Sequence, residues 1–293
     1  MIIDNPTRSS VFAADVELFA GNQVRIAATN LMQFDGAVTL AANNFAGGGQ
    51  ISVTNTGADI DFAQSLAIDV SDNRDDGEGG SVSVVSDNGT MMVDGTLQID
   101  AGASGAGAFV QGGSVTVRAQ NGGQLIANGD LNVFASANGE DGADANGGSI
   151  AVRALGGTIN IGQSMLLFAS GDASGGAAVG ATGATGSGGN VVLEASGGGS
   201  LSAATTIDIR TDAFGGQGTS VGGQGDSSFA CQPCRSAEKV RKAATRRAER
   251  SRLPSPVSAA PALCSPTGST YSRTGMAETR SMPDRAESAA AAR

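Results

Sequence analysis

Histidine and tryptophan are absent from this chain of 293 residues, which has a single tyrosine. Without histidine the commonest general base and the commonest metal ligand are missing, so most catalytic templates fail at once. Aromatic residues make up 4% of the sequence, too few for a core built around large rings. No apolar run approaches the roughly 20 residues that a membrane-spanning helix needs. The N-terminal Met-Ile-Ile-Asp-Asn-Pro-Thr-Arg lacks the basic and apolar stretches of a secretory signal. Proline and cysteine are nearly missing from most of the chain: residues 1–228 contain only Pro6 and no cysteine.

Glycine, by contrast, is abundant, with 45 residues. A chain so rich in glycine is either disordered or tightly repetitive. The averages also hide two compositions. Residues 1–228 hold 43 of the glycines, with 23 acidic and 6 basic residues and a net charge of −17. Residues 229–293 hold six of the seven prolines, all three cysteines and a net charge of +7. These are read as a repeat region, 1–228, and a separate tail, 229–293.

The repeat is anchored by a Gly-Gly pair, one further residue and two apolar residues in alternation. It recurs as Gly48-Gly49-Gln-Ile51-Ser-Val53, Gly79-Gly80-Ser-Val82-Ser-Val84, Gly112-Gly113-Ser-Val115-Thr-Val117, Gly147-Gly148-Ser-Ile150-Ala-Val152 and Gly188-Gly189-Asn-Val191-Val-Leu193; Val24/Ile26 is a copy without glycines. Apolar residues at every second position are the period of a strand with one buried face. Two further pairs follow in each copy. Met32/Phe34, Ile60/Phe62, Met91/Val93, Leu125/Ala127, Ile159/Ile161 and Leu201/Ala203 form the second set; Val38/Leu40, Leu66/Ile68, Leu97/Ile99, Leu131/Val133, Met165/Leu167 and Ile207/Ile209 form the third. First and second pairs lie 8–10 residues apart, and the third pair always begins four residues after the second ends. Phe12 and Val16/Leu18 supply a partial copy ahead of the set.

Three short strands repeated in fixed order predict an all-β fold: a right-handed parallel β-helix, or β-solenoid, of about six turns. Equivalent strands pair between turns about 4.8 Å apart. Burying an inward aliphatic side chain is worth roughly 1.5–3 kcal/mol, against about 1–2 kcal/mol to order each backbone residue, so turns are stable only when stacked. Asn88-Gly89, Asn121-Gly122-Gly123, Asn128-Gly129 and Gly156-Gly157 are expected at corners needing positive φ. The interval from third pair to next first pair grows along the chain from 8 to 26 residues. Its Gly-, Ala-, Asp- and Ser-rich segments, Ser71–Gly80, Ala101–Gly113, Ala135–Gly148 and Ala169–Gly189, are expected to protrude as loops along one edge. Such loops either display a contact surface or are tolerated spacers.

Gly-rich turns with a short three-strand rung resemble the passenger regions of large bacterial surface proteins, namely filamentous haemagglutinin-like adhesins and autotransporter passengers. The resemblance covers roughly residues 10–228 and rests on the ladder pattern. It implies an interior fragment of a secreted, extracellular or cell-surface protein, exported through an outer-membrane transporter as in two-partner secretion. It also implies adhesion or biofilm contact with glycans or proteins of a host or cell surface. No N-terminal secretion module and no C-terminal translocator barrel is recognisable. The acidic balance argues against nucleic acid as a partner, and the missing cysteine suits export.

Little chemistry is expected. No catalytic or cofactor-binding residue stands out, and calcium is the one metal candidate, on Asp72, Asp75, Asp76 and Glu78, with a second acidic set at Glu140, Asp141 and Asp144. The spacing fits neither an EF-hand nor the nonapeptide of calcium-binding β-rolls, so solvated carboxylates compete with that reading. The main rival class is a polysaccharide-degrading β-helix enzyme. Arg118 and Arg153 should stack on the outer face, yet no recurring carboxylate pair is found beside them, and no glycosidase pair can be nominated. A passive stalk is the other alternative.

In the tail, Cys231, Cys234 and Cys264 fall short of four zinc ligands without histidine. Residues 235–252 have too weak an apolar stripe for a membrane-surface helix. The tail is therefore expected to be disordered. Its Arg/Ala/Pro/Ser composition, beginning where the next strand is due, is that of a GC-rich gene read in a shifted frame from about residue 226.

Overall fold

The computed structural model describes residues 1–216 except 6, 45–46 and 175–183, together with the backbone of 225–226 and 230–231. All of these belong to the unit spanning Met1–Lys239. Among the described residues there is no helix, and strands pair between turns in parallel, with one isolated antiparallel bridge between Gln120 and Gly156. The one antiparallel pairing of strands is a short hairpin joining Val38–Asn44 to Gly47–Gly48.

The fold is a right-handed parallel β-helix with three principal faces. The first stacks Ile2–Asn5, Gln23–Ala28, Gln50–Thr56, Ser81–Asp87, Ser114–Gln120, Ser149–Leu155, Asn190–Ser196 and Ala230–Cys231. The second runs from Ser10–Phe12 to Ser200–Ala203, and the third from Val16–Ala20 to Ile207–Arg210. Ile2–Asn5 completes the partial N-terminal copy, so there are seven turns of three strands rather than six. Of the expected tail only Ala230–Cys231 is described, as backbone in register with Val192–Leu193. The rest of 229–293, with Cys234, Cys264 and the basic stretch, lies outside the described residues.

Every apolar pair of the repeat stacks in the register that its spacing predicts. On the first face Val24, Ile51, Val82, Val115, Ile150 and Val191 follow one another. Leu66, Leu97, Leu131 and Met165 do so on the third face, and Met91, Leu125 and Ile159 on the second. Nearly all these side chains are fully buried in one continuous core. The few aromatics that enter it stack: Phe12 on Phe34 at 4.7 Å, and Phe34 on Phe62 at 5.0 Å, with rings close to parallel. In the seventh turn Leu193, Leu201, Ala203 and Ile209 are only partly buried, and Ile207 is exposed.

The corner between first and second faces needs left-handed backbone. Asn88 and Asn121 have φ of 51° and 52°, and Gly122 and Gly156 have 82° and 69°. The expectation fails at Asn128-Gly129, which is not among the positive-φ residues. Glycine is required there by contact instead, since a Cβ on Gly129 would lie 2.7 Å from the carbonyl oxygen of Gly95.

The variable corner departs most from expectation. Its segments are not bare loops but form two further parallel sheets. One stacks Ala103–Gly105, Ala137–Gly139, Gly171–Asp172 and Ala213–Phe214; the other stacks Phe109–Gln111, Asp144–Asn146, Gly186–Ser187 and Gly225–Asp226. The two enclose a second, separate core of Ala103, Val110, Ala137, Ala143, Ala145, Ala173 and Ala184. This lobe is thin because its walls nearly touch. A Cβ on Gly186 would sit 2.7 Å from the carbonyl oxygen of Gly171 across the lobe, whereas ordinary packed sheets stand about 10 Å apart. Alanine and glycine are thus the fitting core residues, and their abundance imitates the composition of a loop.

Candidate functional site

The Gly-Gly anchor marks the neck where the chain leaves the tube for the lobe and returns. Within one turn Gly80 N–H donates to the Val70 carbonyl (2.8 Å), Gly113 to Ala101 (2.7 Å), Gly148 to Ala135 (2.6 Å) and Gly189 to Ala169 (2.6 Å). These bonds pinch outgoing and incoming backbones together. A Cβ on Gly113 would lie 2.1 Å from the carbonyl oxygen of Gly80, and one on Gly148 2.0 Å from that of Gly113. No side chain fits, so two glycines recur in turn after turn.

Because the neck carries no side chains, a groove of about 710 Å³ runs beside it, parallel to the coil axis. Its floor is the glycine backbone from Gly48 to Gly189. One wall is the column Gln50, Ser81, Ser114, Ser149 and Asn190, each exposed at the start of a first-face strand. The other is the column Glu78, Gln111, Asn146 and Ser187. Ser149 Oγ donates to Ser114 Oγ at 3.0 Å. Among the described residues Glu78 is the only charged one in the lining. The groove was not anticipated from sequence; the signal that marks it is the coincidence of the Gly-Gly pair with a polar residue on both sides.

Of the acidic calcium candidates, Asp72, Asp76 and Asp144 have structural partners. Asp72 is buried and takes both Nε and an Nη of Arg74 at 2.7 Å, and also the amide of Glu78 at 3.1 Å. The Arg74 hydrogen bond holds its carboxyl below the usual range, against the opposing effect of burial. This pair closes the first turn of the lobe, where Asp72 and Glu78 bridge to Ala103 and Gln111 in the next. Asp76 Oδ1 accepts from the amide of Ala108 at 3.0 Å, and Asp75 is exposed. Asp144 Oδ1 accepts from Thr185 N–H, whereas Glu140 and Asp141 are exposed at a turn. Among the described residues no three carboxylate or thiol side chains converge on a common point.

Arg118 and Arg153 are adjacent rungs of the outer first face, as expected. Single carboxylates stand near them, without a pair that recurs from turn to turn. Glu194 occupies the next rung, 3.5 Å from Arg153 Nε. On the other side, Asp87 feels the charge of Arg118 and accepts from Asn121 and Gln120, and these hydrogen bonds are the main cause of its lowered pKa. On the third face Asp69 and Asp100 occupy neighbouring rungs. Burial, and secondarily the charge of Asp69, pushes the Asp100 carboxyl up. Asp61 is raised likewise by burial and then by Asp94 and Asp35. Asp87 and Glu194 have partners on neighbouring rungs, whereas Asp61 Oδ1 is buried without a hydrogen-bond partner.

Among the described residues no helix is long and apolar enough to cross a membrane. Comparison of the chain with protein-family models, with curated proteins and with solved structures finds no match. What the molecule shows is therefore a fold class, a repetitive parallel β-solenoid consistent with passenger regions of adhesin type and not specific to them.

Proposed function

We propose that this chain is part of a secreted, adhesin-like bacterial surface protein that makes multivalent, individually weak contacts along one edge of a β-helix. The observation that carries the reading is repetition: five consecutive turns, from Gln50 to Asn190, present uncharged polar side chains at the same place beside the lobe. Repeated weak sites gain strength from simultaneous engagement. Export through an outer-membrane transporter and contact with surface glycans or proteins belong to the same proposal, as does a non-enzymatic role. The passive-stalk reading is favoured by a different feature, the single apolar core continuous through all turns.

Beads coated with the full chain separate the two. Multivalent contact predicts that attachment to bacterial or host cells rises more steeply than in proportion to coating density. Attachment no greater than that of uncoated beads at every density would leave the stalk. Incubation with soluble polysaccharides is expected to release no new reducing ends, and their appearance would overturn the non-enzymatic part.

A further inference from the structure

We infer that the groove beside the neck binds a neutral, linear, hydroxyl-rich polymer, a polysaccharide, laid along the coil axis. The proposal rests on the reading of this edge as a contact surface and names the chemistry it contacts. Three features select the ligand. The first is geometry: the lining repeats once per turn, about 4.8 Å, over five turns, which suits an extended polymer whose own repeat is of similar length.

The second is the hydrogen-bonding character of the floor. The amides of Gly79, Gly112 and Gly147 are spent on the next turn, and those of Gly80, Gly113 and Gly148 across the neck. In these three turns the floor therefore offers acceptors but no amide donors. Among the described residues no backbone amide donates to the carbonyls of Gly79, Gly112 or Gly147. Those of Gly112 and Gly147 accept instead from the side-chain amide of Gln111, at 3.2 and 3.3 Å. A donor lying in the groove is thus already satisfied by this floor. Sugar hydroxyls can donate to it while accepting from the Gln, Asn and Ser side chains of the walls. A peptide strand would find no amide donors for its carbonyls on the floor.

The third is charge. Glu78 is the only charged group among the described residues of the lining, and residues 1–228 carry a net charge of −17. A polyanion is repelled, and a polycation finds one carboxylate where it would need a row.

The test is titration of the full chain with neutral cello-, chito- and manno-oligosaccharides of two to six units, with heparin and pentalysine as charged controls. Affinity for at least one neutral series is expected to rise with each added unit and level off at about five, the number of turns lining the groove. Ser114→Arg/Ser149→Arg, which fills the groove from two exposed wall positions, is expected to weaken binding about tenfold or more by removing two rungs of hydrogen bonds. Its circular dichroism and Tm should match the parent; should they not, Gln111→Leu, on the opposite wall, replaces it. No binding of any neutral series, affinity independent of length, equal binding by the wall variants, or tighter binding of heparin or pentalysine would each overturn the proposal. Beads that attach to cells while every oligosaccharide fails would sink the groove and spare the contact reading. Oligosaccharide binding without cell attachment would do the reverse.

Discussion

Tube and lobe are built by the same rule from different residues. In both, identical positions of successive turns pair in parallel and point the same side chains into a shared interior. The tube is wide and filled mainly by Leu, Ile, Val, Met and Phe, with Ala among them; the lobe is narrow and filled by Ala with one Val. Ladder stacking is therefore indifferent to side-chain size, and the distance between walls decides which residues can be used. Hydrophobic stabilisation scales with buried apolar area, so the lobe gains much less per turn than the tube. It persists because its strands are extensions of turns that the tube already holds in register.

The comparison can be broken most sharply at the neck that joins the two. Gly113→Val places a branched side chain against the Gly80 carbonyl and is expected to cost more than about 3 kcal/mol, beyond ordinary overpacking. Chemical denaturation should show it, with Gly122→Ala as control. A Cβ on Gly122 meets nothing within 4 Å, so only the strain of its φ, about 1–2 kcal/mol, is incurred. Next in size, Leu131→Ala in the tube should cost about 2–5 kcal/mol through lost burial and a residual cavity.

Ala145→Leu in the lobe should cost about 1–3 kcal/mol by overpacking. Hydrogen exchange should then rise in the lobe strands and not in those of the tube. Equal exchange in both would show that the two cores unfold as one.

Removing the cap of the lobe is a smaller perturbation. Arg74→Ala leaves the buried Asp72 without its cation, and the loss of stability is expected to be confined to residues 72–78 and 103–111. Asp72 has a lowered pKa, so the stability it contributes is present above the ordinary carboxylate range and is lost as pH falls through its folded value. The Arg74→Ala difference should accordingly shrink in acid.

Asp100 works in the opposite sense. Its raised pKa means that the folded state binds the proton more readily, so its charge costs stability at neutral pH and the cost fades on acidification. Asp100→Asn, which can still accept from the amide of Gly102, is expected to raise Tm slightly at pH 7 and leave it unchanged near pH 3.

The tube was legible because its signal is large aliphatic side chains at period two. Val82, Val115 and Ile150 can be aligned by eye, and their spacing leaves one register that buries them all. The lobe was not legible, because Ala137, Ala145 and Gly171 belong equally to a flexible loop and to a narrow core. Composition there carries no sign of burial. The single carboxylate beside Arg153 could not be singled out in the sequence for a related reason. Glu194 lies 41 residues from Arg153 in sequence, and the unequal lobe insertion hides that they share a column.

The sequence by itself determined that the chain coils, which residues point into the tube, and that three strands make each turn of the tube, since aliphatic burial at fixed offsets admits one stacking. Only the tertiary structure decided what the irregular segments do. Whether an alanine-rich stretch is spacer or core depends on how near another backbone lies, and that distance is set by neighbouring turns rather than by the residues of the stretch. The groove follows from the same cause: where two backbones touch, side chains are excluded, and the space they would have filled becomes a surface open to a ligand.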